Sequence, residues 1–134
     1  MTPKETVLEF WARMESNDFN RASELFADDY VLEWPQSSEL IRGRELFAQM
    51  NNEYPAQGKW HFRINRISAD MEPEEGHAVV ASDVSVTDGN LNARAITFSY
   101  VSKGVIHKQV EFWPDNYPAP PHRAHLVEPL PEGE

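Results

Sequence analysis

From residue 60 to residue 113 the chain alternates apolar and polar residues almost without interruption, and short turn signals cut this stretch into four pieces. They are WHFRINRISAD (60–70), HAVVASDVSVT (77–87), LNARAITFSYV (91–101) and IHKQVEFW (106–113). Side chains on an extended chain alternate between two faces, so each piece reads as a strand with unlike sides. The charged turn MEPEEG (71–76), Asp88-Gly89-Asn90 and Ser102-Lys103-Gly104 separate them. Connections this short cannot cross a sheet, so the strands must pair antiparallel as a meander. A sheet of this length needs something to cover one face, and helix-period sequence occurs only ahead of it.

That sequence predicts three helices. Thr2-Pro3-Lys4-Glu5 has the form of a helix start, with Thr as N-cap, Pro at the first helical position and Glu closing a capping box. Val7, Phe10, Trp11 and Met14 then form one apolar stripe. Asn17-Asp18 breaks this helix and caps a second, whose stripe is Phe19, Ala22, Leu25 and Phe26, ending near Asp28-Asp29. DYVLEWP (29–35) is a short strand stopped by Pro35, and residues 36–43 read as a loop. The third helix is expected from Arg44 to Tyr54, with Leu46, Phe47, Met50 and Tyr54 inward. The fold class is therefore α+β, three N-terminal helices on one face of a strongly curved antiparallel sheet.

With 134 residues the chain suits one domain, placed at 1–113, followed by a tail at 114–134. Six of the ten prolines lie in that tail. Tyr117, His122, Leu126 and Val127 suggest that part of it packs, while the final PLPEGE frays. No segment approaches the roughly 20 apolar residues of a membrane span, and no signal peptide is recognisable at the N-terminus. A cytoplasmic location is the expectation. Cysteine is absent, which removes disulfides, thiol nucleophiles and thiolate metal sites. With 22 acidic against 12 basic residues and no basic run, nucleic acid and anionic membrane are not expected partners. A small neutral or cationic ligand remains open.

On the last strand, period two puts His107, Gln109, Glu111 and Trp113 on one face and Ile106, Lys108, Val110 and Phe112 on the other. A row holding an imidazole, an amide, a carboxyl and an indole is either a solvated surface or the wall of a pocket. These residues, together with LFADDYVLEW and LIRGRELFAQM, resemble the NTF2-like superfamily and in particular its SnoaL-like members. The likeness runs from about residue 4 to residue 118. It implies a cone-shaped apolar cavity between helices and concave sheet, homodimerisation through the convex face, and cofactor-independent chemistry. The same fold hosts isomerases, cyclases, epoxide hydrolases and plain binding proteins.

In the resemblance, Glu111 occupies the position of an acidic residue on the final strand. Trp60-His61 is similar to a Trp-His pair of phenazine-type members. Asp83 is placed where hydrolase-type members carry a middle-strand Asp, but Ala81 stands where they carry Arg, which counts against epoxide opening. Glu111 is the leading candidate, since a carboxyl in an apolar cavity holds its proton toward neutrality and can act as acid or base. The plain alternative is a solvated strand glutamate. His107 and His61 are candidate proton carriers or structural histidines, and Asp83 is a candidate partner or a solvent-facing aspartate. Gln109 would donate to a developing oxyanion. Trp113, Trp34, Tyr54, Phe47 and Trp11 would line the cavity, Trp34 and Tyr54 at its mouth, although such aromatics are by default core. No metal site is expected: His122 and His125 are three apart but lack a third ligand. The expected function is acid/base catalysis on a small apolar, carbonyl-bearing or polycyclic substrate. Its rival is a non-catalytic ligand-binding or dimerisation module.

Overall fold

The structure, a computed structural model, describes residues 1–70 and 77–131. The expected turn at 71–76 and the last residues of PLPEGE lie outside the described residues. Helix α1 (Pro3–Glu15) starts as its capping box requires: Glu5 N–H donates to Thr2 Oγ1 and the Thr2 N–H returns a bond to Glu5 Oε1. Its stripe of Val7, Phe10, Trp11 and Met14 is buried. Helix α2 (Phe19–Ser23), capped by Asp18, is shorter than expected. Strand β1 (Phe26–Trp34) begins where the sequence pattern still reads as helix. The reason is tertiary: the Leu25 carbonyl already accepts the Ile106 N–H at 2.9 Å, so the backbone here is committed to the sheet. Phe26 thus leaves the helix stripe and stacks on Tyr30, with ring centroids 3.6 Å apart and planes 4° from parallel.

The segment expected as a loop contains strand β2 (Glu39–Arg42), which pairs with β1 before α3 (Arg44–Glu53). Within α3, Phe47 and Ala48 are buried, whereas Leu46 and Tyr54 stand exposed rather than inward. Strands β3 (His61–Ala69), β4 (His77–Thr87), β5 (Asn92–Ser102) and β6 (Val105–Phe112) form the predicted antiparallel meander. The sheet order is β2-β1-β6-β5-β4-β3. One contact is parallel, β1 against β6, and it brings the first strand beside the last. Lys103 and Gly104 both have positive φ, as a two-residue hairpin turn demands. The helices cover one face of this curved, open sheet and close an aromatic core of Phe10, Trp11, Phe26, Tyr30 and Phe47.

Three register shifts shape the sheet among the described residues, one of them in β1 between Phe26 and Val31 where it pairs with β6. Asn65 in β3 and His107 in β6 each have no partner in the register: Ile64 pairs with Val84 and Arg66 with Asp83, while Ile106 pairs with Val101 and Lys108 with Tyr100. An extra residue of this kind bends the strand and reverses the facing of everything beyond it. The tail continues past Trp113 into a 3-10 helix (Pro121–Leu126). Contrary to expectation, Tyr117, His122, Leu126 and Val127 are all exposed. Prolines at 114, 118 and 120 favour extended backbone ahead of that helix, and Pro121 is its first residue.

Candidate functional site

Beyond the bulge at His107, residues 109, 111 and 113 face the helices together with Ile106 from before it. Glu111 is therefore buried, only 8% exposed, on the concave face. Its Oε2 accepts a hydrogen bond from Thr97 Oγ1 at 2.6 Å, directly across the β5–β6 ladder. Its Oε1 accepts two more, from Trp113 Nε1 at 2.8 Å and Trp34 Nε1 at 3.0 Å. Trp34 reaches it because β1 lies parallel beside β6, with Leu32 level with Gln109. Burial raises the proton affinity of this carboxyl above that of an ordinary glutamate, and the three donors offset only part of that effect. A carboxylate offers about four lone-pair positions. Both on Oε1 are filled by indole N–H groups, so a proton or a ligand group must come to the remaining position on Oε2.

A second polar row lies one pair along the same face. Tyr30 Oη donates to Gln109 Oε1 at 2.7 Å, and Gln109 Nε2 donates to Ser99 Oγ at 3.0 Å. Gln109 is 1% exposed. Its amide is held between these two partners, so it braces β1 against β5 and β6 instead of presenting a free donor to a ligand. Burial, with the Glu111 charge nearby, pushes the Tyr30 hydroxyl well up, so it stays protonated as a donor. Trp11 Nε1 donates to Ser82 Oγ at 3.1 Å, and the Ser82 hydroxyl in turn donates to the Thr97 carbonyl. Ser82, Thr97 and Glu111 thus follow one another across β4, β5 and β6.

The other proposed partners of Glu111 do not converge on it. His107, displaced outward at the bulge, is 42% exposed, with Nε2 2.9 Å from Ser102 Oγ and Nδ1 3.7 Å from Asp29. His61 is exposed beside Glu15, at 3.3 Å, because its neighbours Trp60 and Phe62 are the residues that turn toward the helices. Asp83 lies on the opposite sheet face from Val84 and Ser82, bound by both nitrogens of the Arg94 fork. The Arg94 bond holds its carboxyl below the usual aspartate range. Phe47 is core, edge-on to Phe26 at 4.8 Å. Tyr54 stands outside, beside Trp60 and on a groove of about 500 Å³ between α3 and β2 whose lining includes Leu40, Ile41, Leu46 and Met50. Tyr30 and Thr97, which complete the two polar rows, were not singled out from sequence. The one signal for Thr97 is that, with Ser99, it puts hydroxyls on a face otherwise made of Ala95 and Val101.

Set against known proteins, residues 7–108 match the family model of the SnoaL-like domain. Glu111 and Trp113 lie just beyond that match. A protein from Kribbella flavida DSM 17836 assigned as a ketosteroid isomerase shares 30% identity. The alignment covers 97% of this chain and 90% of that one, with a TM-score of 0.82. A SnoaL-like polyketide cyclase assigned in Shewanella denitrificans OS-217 superposes with a TM-score of 0.63 at 11% identity, over 82% of this chain and 88% of that one. A protein of ketosteroid isomerase-like fold from Catenulispora acidiphila DSM 44928, in complex with trimethylamine, gives a TM-score of 0.62 at 16% identity, over 83% and 85%. At these lower identities the likeness is one of fold. No curated protein matches the sequence at significant similarity. The extent of the family match and the 30% identical relative, on a cone of helices against a curved sheet, place this chain in the SnoaL-like domain family, within the NTF2-like fold.

Proposed function

We propose that this protein is a cofactor-independent acid/base catalyst of the SnoaL-like kind, with Glu111 as the group that moves the proton. The observation that carries this reading is a carboxyl buried on the concave face with its proton affinity raised and three neutral donors fixing its orientation. Two indole donors commit Oε1 to accepting, so Oε2 is the atom that gives and takes the proton. The Thr97 hydroxyl keeps donating to Oε2 in both states, so the proton is carried on the other lone pair of that oxygen. The substrate is a small, largely apolar molecule bearing a carbonyl or a fused ring system, isomerised or cyclised by proton transfer at carbon. Two copies pair through the convex face, where Ala81, Ile96, Phe98, Tyr100, Val110 and Phe112 form an apolar strip across β4, β5 and β6.

One observation favours a second reading, a ligand-binding module without turnover: among the described residues no other ionised group bonds to Glu111 to share the proton traffic. A carbonyl-compound screen against wild type and Glu111→Gln separates the two. Ligands that stabilise both proteins against heating but are converted only by the wild type support catalysis. Ligands that bind and are never converted support the module.

A further inference from the structure

We propose that the ligand of the Glu111 site carries a compact organic ammonium group, a quaternary or protonated tertiary nitrogen, seated against Trp34 and Trp113 beside the groove between α3 and β2. This deepens the reading of Glu111 as the working group and rests on it.

The first reason is charge. Each hydrogen-bond partner of Glu111 is neutral, and no described Lys, Arg or His forms an ion pair with it. A buried carboxyl without a counterion either keeps a proton or takes a cation from outside. The formal net charge of -10 draws cations toward the molecule and repels anions.

The second reason is the surroundings. Trp34 and Trp113 are only partly buried, and both spend their single N–H on the carboxyl. What they leave for a ligand is the π-face, which is negative, and donation to a carboxylate makes an indole more electron-rich. Tryptophan is the strongest of the side chains that hold a cation this way. The Trp34, Trp113 and Thr97 donors already point at Glu111, so a ligand that depends on protein donors is poorly served. A quaternary nitrogen needs none.

The third reason is continuity with open space. Ile41 pairs with Leu32 and Glu39 with Trp34, so Ile41 and Trp34 stand near each other on one face of the β1–β2 ribbon. Ile41 also lines the groove, together with Met50, Tyr54 and Glu53, and none of the residues lining it is basic. Ile41 is the residue that links the groove to Trp34, and the thioether, phenol and carboxylate that line the groove suit an alkylammonium ion.

Binding such a cation favours the ionised form of Glu111, so affinity rises with pH and a proton is released. The test uses the intact protein with choline and its uncharged isostere 3,3-dimethylbutan-1-ol, titrated by calorimetry and tryptophan fluorescence at pH 5 and pH 8. Choline is expected to bind at least about tenfold more tightly than the isostere. Its affinity should be higher at pH 8, and its advantage should be lost in Glu111→Gln. Equal or tighter binding of the isostere, or no binding of choline at millimolar concentration, overturns the inference. Should Glu111→Gln not fold, the wild-type preference and its pH dependence decide alone. If choline fails while the Glu111 carboxyl, followed by carbon NMR, still titrates above an ordinary glutamate, only the ligand class falls. If that carboxyl titrates normally, the catalytic reading falls as well.

Discussion

Glu111→Gln is the substitution from which most can be learned, because the amide keeps the shape and removes only the charge. Its carbonyl oxygen can take the two indole N–H groups, and its NH2 can donate to Thr97 Oγ1, so all three bonds survive. In the wild type, desolvation is the larger influence on Glu111 and its folded-state proton affinity is raised. Between the ordinary glutamate value and the raised one, the native state holds a proton that the unfolded chain has released. Stability must then fall as pH rises through that window, at a limiting slope of about 1.4 kcal/mol per pH unit for one proton. Above the window the loss is complete and the curve runs flat. The Gln variant lacks this contribution. Urea denaturation of both proteins from pH 4 to pH 9, read by tryptophan emission, should show the variant gaining on the wild type through the window and holding its advantage above it. For a domain of this size each 1 kcal/mol is worth about 3–6 °C in Tm. Parallel curves would mean that Glu111 ionises as it does in water, and the burial argument would be refuted. A gap opening the other way would mean that the three hydrogen bonds outweigh desolvation.

Other outcomes follow from the same structure. Tyr30→Phe strands the buried Gln109 Oε1 without its donor and should cost about 1–3 kcal/mol in chemical denaturation. Asp83→Asn removes a partly exposed pair with Arg94 on the far face of the sheet and should cost under about 1 kcal/mol. Because the folded Asp83 carboxyl is lowered, that cost is present at neutral pH and fades as pH falls through the folded value. The Glu111 titration should not move in this variant, and a shift would show that the two faces are coupled. Phe98→Glu places a charge in the middle of the convex apolar strip; if the proposed pairing through this face holds, sedimentation should show the wild type as a dimer and the variant as a monomer, with the fluorescence of Trp34 and Trp113 unchanged.

What the sequence settled by itself is what depends on near neighbours. The capping box of α1, its buried stripe, the hairpin turns at Asp88-Gly89-Asn90 and Lys103-Gly104, and the four-strand meander all follow from local periodicity and turn chemistry. Asp88 illustrates this: its carboxylate accepts the N–H groups of Asn90 and Leu91 within its own turn. Glu111 could be singled out because its position and type were informative without knowledge of what surrounds it. The tertiary structure decided which side chains meet it. Strict alternation placed His107 with Glu111, but one unpaired residue at His107 removes the imidazole from that face and gives its place to Ile106. Period two records no insertion, because a bulge is stabilised by the neighbouring strands and not by the bulged strand. Likewise Trp34 donates to Glu111 only because β1 lies parallel beside β6, joining residues 77 positions apart. No local pattern encodes that adjacency. It arises when helices and sheet close over a common core, and in this chain it turns a strand glutamate into a buried acid.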